Sequence, residues 1–342
     1  SLSVELFHYH DVWNADYSGN CELWQHLWKG ESLAFFSYNF QASRRLSLKT
    51  RIGLDWLQYH LHGDNSFSQL SPRINTNVQY QLNKGMLLWS FNFVNSNHGM
   101  DVINRAMIQV NSHMMEKGMP ELKKSHDINT YLYYMGRFNR LSVSAIGQFR
   151  YNHPVTDDYY LDEENGKIVK TYSNGGNAQY YSAILALQYK LCKFANLSGD
   201  IRYNHAEVKT TWSKHNNNLT GNLGLNMFMG DFALKPYLHF GKKSLDEAAL
   251  VISKTPIDYG MSCSYSRGNL YVELQAVSPF KKQEKRYWLD LPIYSYSKSI
   301  KDQTASQYAS IKVAYSFDFG RKTQKVKKDV NKNINSSLLR VE

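Results

Sequence analysis

Charged residues set between apolar ones are the first feature of this sequence that could do chemistry. Lys49, Arg51 and Asp55 alternate with Leu46, Leu48, Ile52, Leu54 and Trp56, and Asp200 and Arg202 alternate with Leu197, Ile201 and Tyr203. Arg150, Lys235 and Glu273 fall in similar settings. Side chains of a strand point to opposite faces with period two, so each stretch has one apolar and one charged face. A charged face turned into an enclosed polar space can hold or guide a passing solute, and these eight residues are the candidates for that role. Aromatic residues between such stretches form a second group: Trp24, Trp28, Tyr159, Tyr160, Trp212 and Trp288. In loops they would stack on a ligand or on one another.

Other combinations carry less. The pairs His8/His10 and His60/His62 place two imidazoles on one strand face, a spacing open to a metal. They read better as histidines at a membrane interface. The run from Asp157 to Glu164 is acidic and aromatic, but it lacks the tighter, glycine-broken spacing of a calcium loop, and a solvated loop is the simpler reading. Nothing resembles a nucleophile elbow, a phosphate-cradling glycine loop or a zincin helix, so no catalytic residue, cofactor or metal is assigned and an enzyme is not expected. Cys21, Cys192 and Cys263 form neither a CxxC pair nor a zinc spacing.

The elements that must position these residues are strands. Tyr 25, Phe 16 and Trp 7 stand against only 7 prolines in 342 residues, a composition that favours strands. Mean hydropathy is −0.52, and no apolar run approaches the length of a transmembrane helix. About fourteen strand-like segments follow one another, most of them about 8–12 residues long, near what crosses a bilayer at a tilt. Short turns at 42–44, 83–85, 136–139, 192–194, 230–231 and 267–269 alternate with long polar connections at 11–31, 61–72, 95–127, 152–179, 205–218, 241–256 and 278–307. A β-sandwich has no reason for strict alternation, since both of its ends are equally wet. An all-β antiparallel transmembrane barrel does, with short periplasmic turns and long extracellular loops. A soluble all-β binding protein is the reading this displaces. Residues 1–320 are expected to form the barrel portion, and 321–342 a basic, poorly ordered periplasmic tail. That tail holds much of the formal charge of +11, which therefore argues against a nucleic-acid-binding face.

The last apolar face, Ile311, Val313, Tyr315, Phe317 and Phe319, ends in Tyr315-Ser316-Phe317-Asp318-Phe319-Gly320. This resembles the final Y-x-F-x-F-G strand of the β-barrel of Bacteroidetes TonB-dependent receptors. Leu70-Ser71-Pro72-Arg73-Ile74 and Tyr80-Gln81-Leu82-Asn83-Lys84 are similar to that family's strand entry and turn. Gly118-Met119-Pro120-Glu121-Leu122-Lys123-Lys124-Ser125 is similar to its G-N-P-x-L-x-P-E loop, with Met119 in place of the asparagine and Lys124 in place of the second proline. Thr171-Tyr172-Ser173-Asn174-Gly175-Gly176 looks like its T-Y-x-N-x-G loop. The resemblance implies an outer-membrane receptor that imports a scarce nutrient (a small molecule, glycan or peptide) with TonB-derived energy. TonB–ExbB–ExbD would act through a plug domain that this chain does not show, and a surface lipoprotein is a possible partner. Barrels of that kind have about twenty-two strands, so the chain reads as a C-terminal portion, with a complete smaller barrel as the other possibility. A non-transporting barrel that binds a ligand or scaffolds a lipoprotein is the alternative function.

Overall fold

The computed structural model describes residues 1–19, 22–64, 66–280, 283–301 and 307–317. The tail 321–342 and Asp318, Phe319 and Gly320 lie outside the described residues, as does Cys21.

Five strands open the chain: β1 (Leu2–Tyr17), β2 (Leu23–Gln41), β3 (Leu46–Leu61), β4 (Ser66–Leu82) and β5 (Gly85–Ser96). Two short strands, β6 (Met107–Asn111) and β7 (Met114–Lys117), precede β8 (Ser125–Phe138) and β9 (Leu141–Asn152). Next come β10 (Thr156–Asp162) and β11 (Lys167–Ser173), then β12 (Asn177–Cys192), β13 (Ala195–Lys209), β14 (Ser213–Met229) and β15 (Phe232–His239). The chain continues through β16 (Lys242–Leu245), β17 (Ile252–Thr255), β18 (Asp258–Arg267) and β19 (Leu270–Val277). It closes with β20 (Lys285–Asp290), β21 (Ser295–Ile300) and β22 (Tyr308–Tyr315).

Fourteen of these form one sheet in the order β1-β2-β3-β4-β5-β8-β9-β12-β13-β14-β15-β18-β19-β22, antiparallel throughout. The remaining eight make two four-stranded sheets, β10-β11-β7-β6 and β16-β17-β20-β21. Both lie in connections at the same end of the large sheet, because every odd-numbered passage up the sheet ends there. The opposite end has only tight turns, such as the one at Gly230, whose φ of 62° a side chain would resist. Among the described residues no pairing joins β1 to β22, so both present free edges.

The orientation of the sheet is inverted relative to a water-soluble one. Ile52 and Leu54 are each 51% exposed, while Asp55 between Leu54 and Trp56 is 0% exposed. Ile311 and Val313 of β22 are exposed in the same way. Exposed apolar stripes around a charged interior are what lipid outside and water inside require, and the soluble reading fails on this point.

Two expectations need correction. The barrel strands are longer than about 8–12 residues: β2 has 19 and β4 and β14 have 17 each. Nine to eleven residues cross the hydrocarbon, so these strands project well beyond it. Their projecting polar halves read as loops in sequence. The connections at 61–72 and 205–218 accordingly shrink to residues 62–65 and 210–212.

The buried apolar core sits at the long-connection end and not between layers. Leu27, Leu57, Tyr59 and Leu61, on the inner faces of β2 and β3, pack against Met100, Ile103 and Leu122 from the connection between β5 and β8. Tyr59 Oη donates to the carbonyls of Pro120 (3.1 Å) and Leu122 (2.7 Å). That connection is thereby folded over the mouth of the sheet.

Candidate ligand-binding lumen

The inner face of β3 carries the residue that anchors this mouth. Asp55 Oδ1 lies 2.7 Å from Lys124 Nζ, both side chains being wholly buried. Arg73 on β4 reaches Asp55 Oδ2 at 2.6 Å and Glu31 Oε1 on β2 at 3.1 Å. Arg73 also donates to the carbonyl of Asn95 at 3.2 Å. Two cations and two carboxylates thus share one site, which is how buried charge is tolerated. Burial still pushes the Lys124 ammonium below its ordinary value, with Asp55 pulling the other way. Further down, the Arg51 guanidinium sits 3.9 Å from the centre of the Phe35 ring and pairs with Glu5 at 2.5 Å.

Around the wall, the inner faces of β8 through β19 line an open cavity of about 660 Å³, with Ser144, Gln188, Asp200, Asn222 and Lys235 among its lining. A second cavity of about 400 Å³ continues it upward and shares Asp200, Asn222 and His239. Its upper lining, Lys242, Thr255 and Lys285, comes from β16, β17 and β20, so the sheet in the long connections roofs the lumen. Asp200 accepts from Asn222 Nδ2 at 2.8 Å, and Asp258 accepts from Ser278 Oγ at 2.9 Å. Cavities of this size with scattered polar groups suit small ligands.

The two outer sheets are fixed to the wall and to each other. Tyr159 and Tyr294 stack with centroids 5.5 Å apart, in a cluster with Leu250, Leu289, Val208 and Ala178. Beneath the first outer sheet, Lys170 Nζ lies 3.2 Å from Glu116 and 3.3 Å from Asp157, while Tyr172 Oη donates to Glu116 at 2.6 Å. Burial, aided by Glu116 and Asp246 and opposed by Lys170, pushes the Asp157 carboxyl up to about 6. Burial works against the Lys170 charge, but the two carboxylates outweigh it and hold that ammonium above its ordinary value. Glu247, from the connection between β15 and β18, reaches the wall at Arg150 (3.4 Å) and accepts from Asn152 (3.0 Å).

The structure brings together some of the residues singled out in sequence and separates others. Asp200, Arg202 and Lys235 share the linked cavities. Asp55, Arg51 and Arg150 lie on the polar face but are engaged in ion pairs. Lys49 is exposed lower on β3, and Glu273 lies opposite Lys312 of β22. Trp24 and Trp28, expected in a loop, are within β2, on its outward side. There Trp24 contacts His26 and His62, and Trp28 contacts His10. Long polar strand ends hid their register. Tyr159 is buried in the stack with Tyr294, whereas its neighbour Tyr160 is 41% exposed. Trp212 occupies the turn at 210–212 against the same cluster, and Trp288 lies on β20 under the Lys243 ammonium, 5.7 Å from its ring centre. The paired histidines bond to serines, His8 to Ser32 (2.9 Å) and His60 to Ser66 (3.1 Å), and no metal-holding group of His, Cys, Asp or Glu occurs among the described residues. Sequence reasoning missed Arg73, Lys124, Lys242 and Lys285 as lumen groups. Lys124 had one signal, since it is the residue that breaks the proline of the loop motif.

Among solved structures, the chain is similar to the copper transporter OprC, at 12% identity and a TM-score of 0.65, over 92% of this chain and 54% of that one. It is similar to the FrpB iron transporter from Neisseria meningitidis at 9% identity and a TM-score of 0.57, over 84% of this chain and 45% of that one. The siderophore receptor PirA from Pseudomonas aeruginosa gives 13% identity and a TM-score of 0.51, over 87% of this chain and 57% of that one. The chain spans about half the length of these structures. No family model matches the sequence, and no curated protein matches it. At such identities the likeness is one of fold alone, that of a transmembrane β-barrel.

Proposed function

We propose that this chain is part of the wall of an outer-membrane receptor that captures a scarce nutrient at its extracellular end and imports it with TonB-derived energy. The observation that carries this reading is the pair of linked cavities on the polar face, roofed by strands from the long connections. A scaffold barrel needs no such continuous polar route. In this reading Lys235, Asp200 and Arg202 meet the passing solute, and Tyr160 and Trp288 are the ring contacts nearest the outside. TonB–ExbB–ExbD act through a plug, and the tail hangs in the periplasm. The free edges of β1 and β22 support a barrel completed by further strands, because lipid offers the backbone no hydrogen-bond partners. In this reading the chain is the C-terminal portion of a Bacteroidetes-type receptor.

The test is growth on limiting nutrients of cells with and without the full-length protein, each in TonB-positive and TonB-negative backgrounds. A growth advantage that vanishes without TonB is the expected result. An advantage that persists without TonB would instead favour the non-transporting scaffold, with a surface lipoprotein as its partner.

A further inference from the structure

The upper cavity is lined by more positive than negative charge. Arg202, Lys242 and Lys285 converge on it, and Lys235 lies in the adjoining space. None of the four makes an ion pair among the described residues, and Arg202 Nε is buried without a hydrogen-bond partner. The two carboxylates present, Asp200 and Asp258, accept hydrogen bonds from Asn222 and Ser278 and keep their charge, which leaves the cations in excess. His239 Nδ1 lies 3.5 Å from Asp258. On other parts of the polar face Arg51, Arg73 and Arg150 pair with carboxylates, as does Lys124 of the connection before β8.

The roof repeats the imbalance. Strands β16, β17, β20 and β21 contain Lys242, Lys243, Lys254, Lys285, Arg286 and Lys298 against Asp290, and Glu284 just before β20 pairs with Arg286 at 2.8 Å. Lys243, Lys254 and Arg286 stand opposite one another across three strands, on the other face from the cavity-lining Lys242, Thr255 and Lys285. The other outer sheet has Glu116, Asp157, Asp158 and Asp162 against Lys117, Lys167 and Lys170, and so carries no such excess. A concave site with an excess of one sign of charge concentrates counter-ions.

We propose that the cavity between β13–β15 and the β16/β17/β20 roof is a binding site for a small soluble polyanion, one carrying two or more carboxylate- or phosphate-like charges. Arg202, Lys242 and Lys285 are its direct ligands, and Lys235 receives the anion on its way down. The site opens on the polar face, away from the outward apolar stripes, so lipid headgroups are not its occupant. This inference rests on the lumen being the solute path, as proposed above.

Citrate is a suitable probe, with sorbitol as its uncharged counterpart. Titration calorimetry on the full-length receptor in detergent should show citrate binding that weakens with added salt, and no binding of sorbitol. Arg202→Gln, Lys242→Gln and Lys285→Gln should each weaken binding by about tenfold or more, the loss expected for one charge-assisted hydrogen bond. Lys298→Gln, on the roof but outside the cavity lining, should change it less than about threefold on the same scale. Folding of each variant is checked by its heat-modified mobility. Absence of citrate binding, equal binding of sorbitol, or equal loss with Lys298→Gln would overturn the proposal. So would a fall in the thermal stability of the receptor in Arg202→Gln and Lys242→Gln without citrate binding, since the cations would then be matched to an acidic plug. TonB-dependent growth with no citrate binding would overturn the polyanion site alone. Citrate binding without TonB dependence would overturn the transport reading alone.

Discussion

Lys124 Nζ lies 2.7 Å from Asp55 Oδ1, joining two wholly buried side chains 69 residues apart in sequence. The contact ties the connection between β5 and β8 to the inner face of β3. Removing one partner strands the other charge in a dry site, which costs about 3–5 kcal/mol where measured in other proteins. Lys124→Ala is therefore expected to lower the thermal midpoint in detergent and to open residues 97–124 to protease. Arg73 would still neutralise Asp55, placing the loss toward the lower end of that range. The pair Asp55→Leu and Lys124→Met should recover much of the stability, because a buried apolar pair avoids desolvation. Unchanged protease resistance in Lys124→Ala would show that the apolar contacts of Leu122 and Met100 suffice to hold the connection.

The two faces of β12 predict opposite responses to the same substitution. Leu185 is exposed on the outward face, and Gln188 lines the large cavity. Arginine facing lipid near the midplane costs about 2–4 kcal/mol, whereas lumen substitutions are tolerated. Folding into lipid vesicles, followed by tryptophan fluorescence under urea, should show that loss for Leu185→Arg and little change for Gln188→Arg. Equal sensitivity of both would contradict the assignment of faces.

Asp157 gives a pH dependence with an unusual sign. Its carboxyl is pushed up to about 6 in the fold against an ordinary value of 3.8, so the folded state binds the extra proton between those values. Stability of the outer sheet should then rise as pH falls from about 7 to 4, since the folded form takes up more protons than the unfolded one. Lys170 does not offset this, because its raised value keeps it charged throughout that window. Hydrogen exchange of the β10 and β11 amides, corrected for intrinsic rates, should show stronger protection at pH 5 than at pH 7.5. The difference should vanish in Asp157→Asn. Weaker protection at pH 5 in the native protein would reverse the sign and refute the account.

Much of this architecture was legible because lipid imposes a simple rule. Ile52, Leu54 and Trp56 must alternate with Arg51 and Asp55 if one face meets hydrocarbon, and the tight turns at 83–85 and 267–269 mark where the chain reverses. The projecting ends of β2, β13 and β14 were hidden, since beyond the membrane both faces meet water and alternation lapses. That is why Trp24 and Trp28 read as loop residues. The small outer sheets were hidden for a related reason, their strands being only 4–7 residues long. Asp200, Arg202 and Lys235 could be placed on the polar face from parity alone. That Lys242 and Lys285 descend to meet Arg202 depends on how two distant connections pack, which no local pattern records.

Gly53 offers a last check on the packing of the inner face. A Cβ built there would lie 2.3 Å from a Phe35 ring carbon and 2.5 Å from the Ala34 carbonyl oxygen. The ring is held in place by Arg51 stacked on it, and the carbonyl is backbone, so neither yields cheaply. Gly53→Ala is expected to cost about 1–3 kcal/mol, as overpacking does. Gly147 on β9 has nothing within 4 Å of the corresponding position. Gly147→Ala should instead be neutral or stabilising by about 0.5–1 kcal/mol, since glycine in a strand carries an entropic cost. Both are read from urea unfolding of the receptor in detergent. A Gly53→Ala variant as stable as the native protein would mean that the Phe35 ring and its arginine can move aside, leaving this stretch of the wall looser than its contacts indicate.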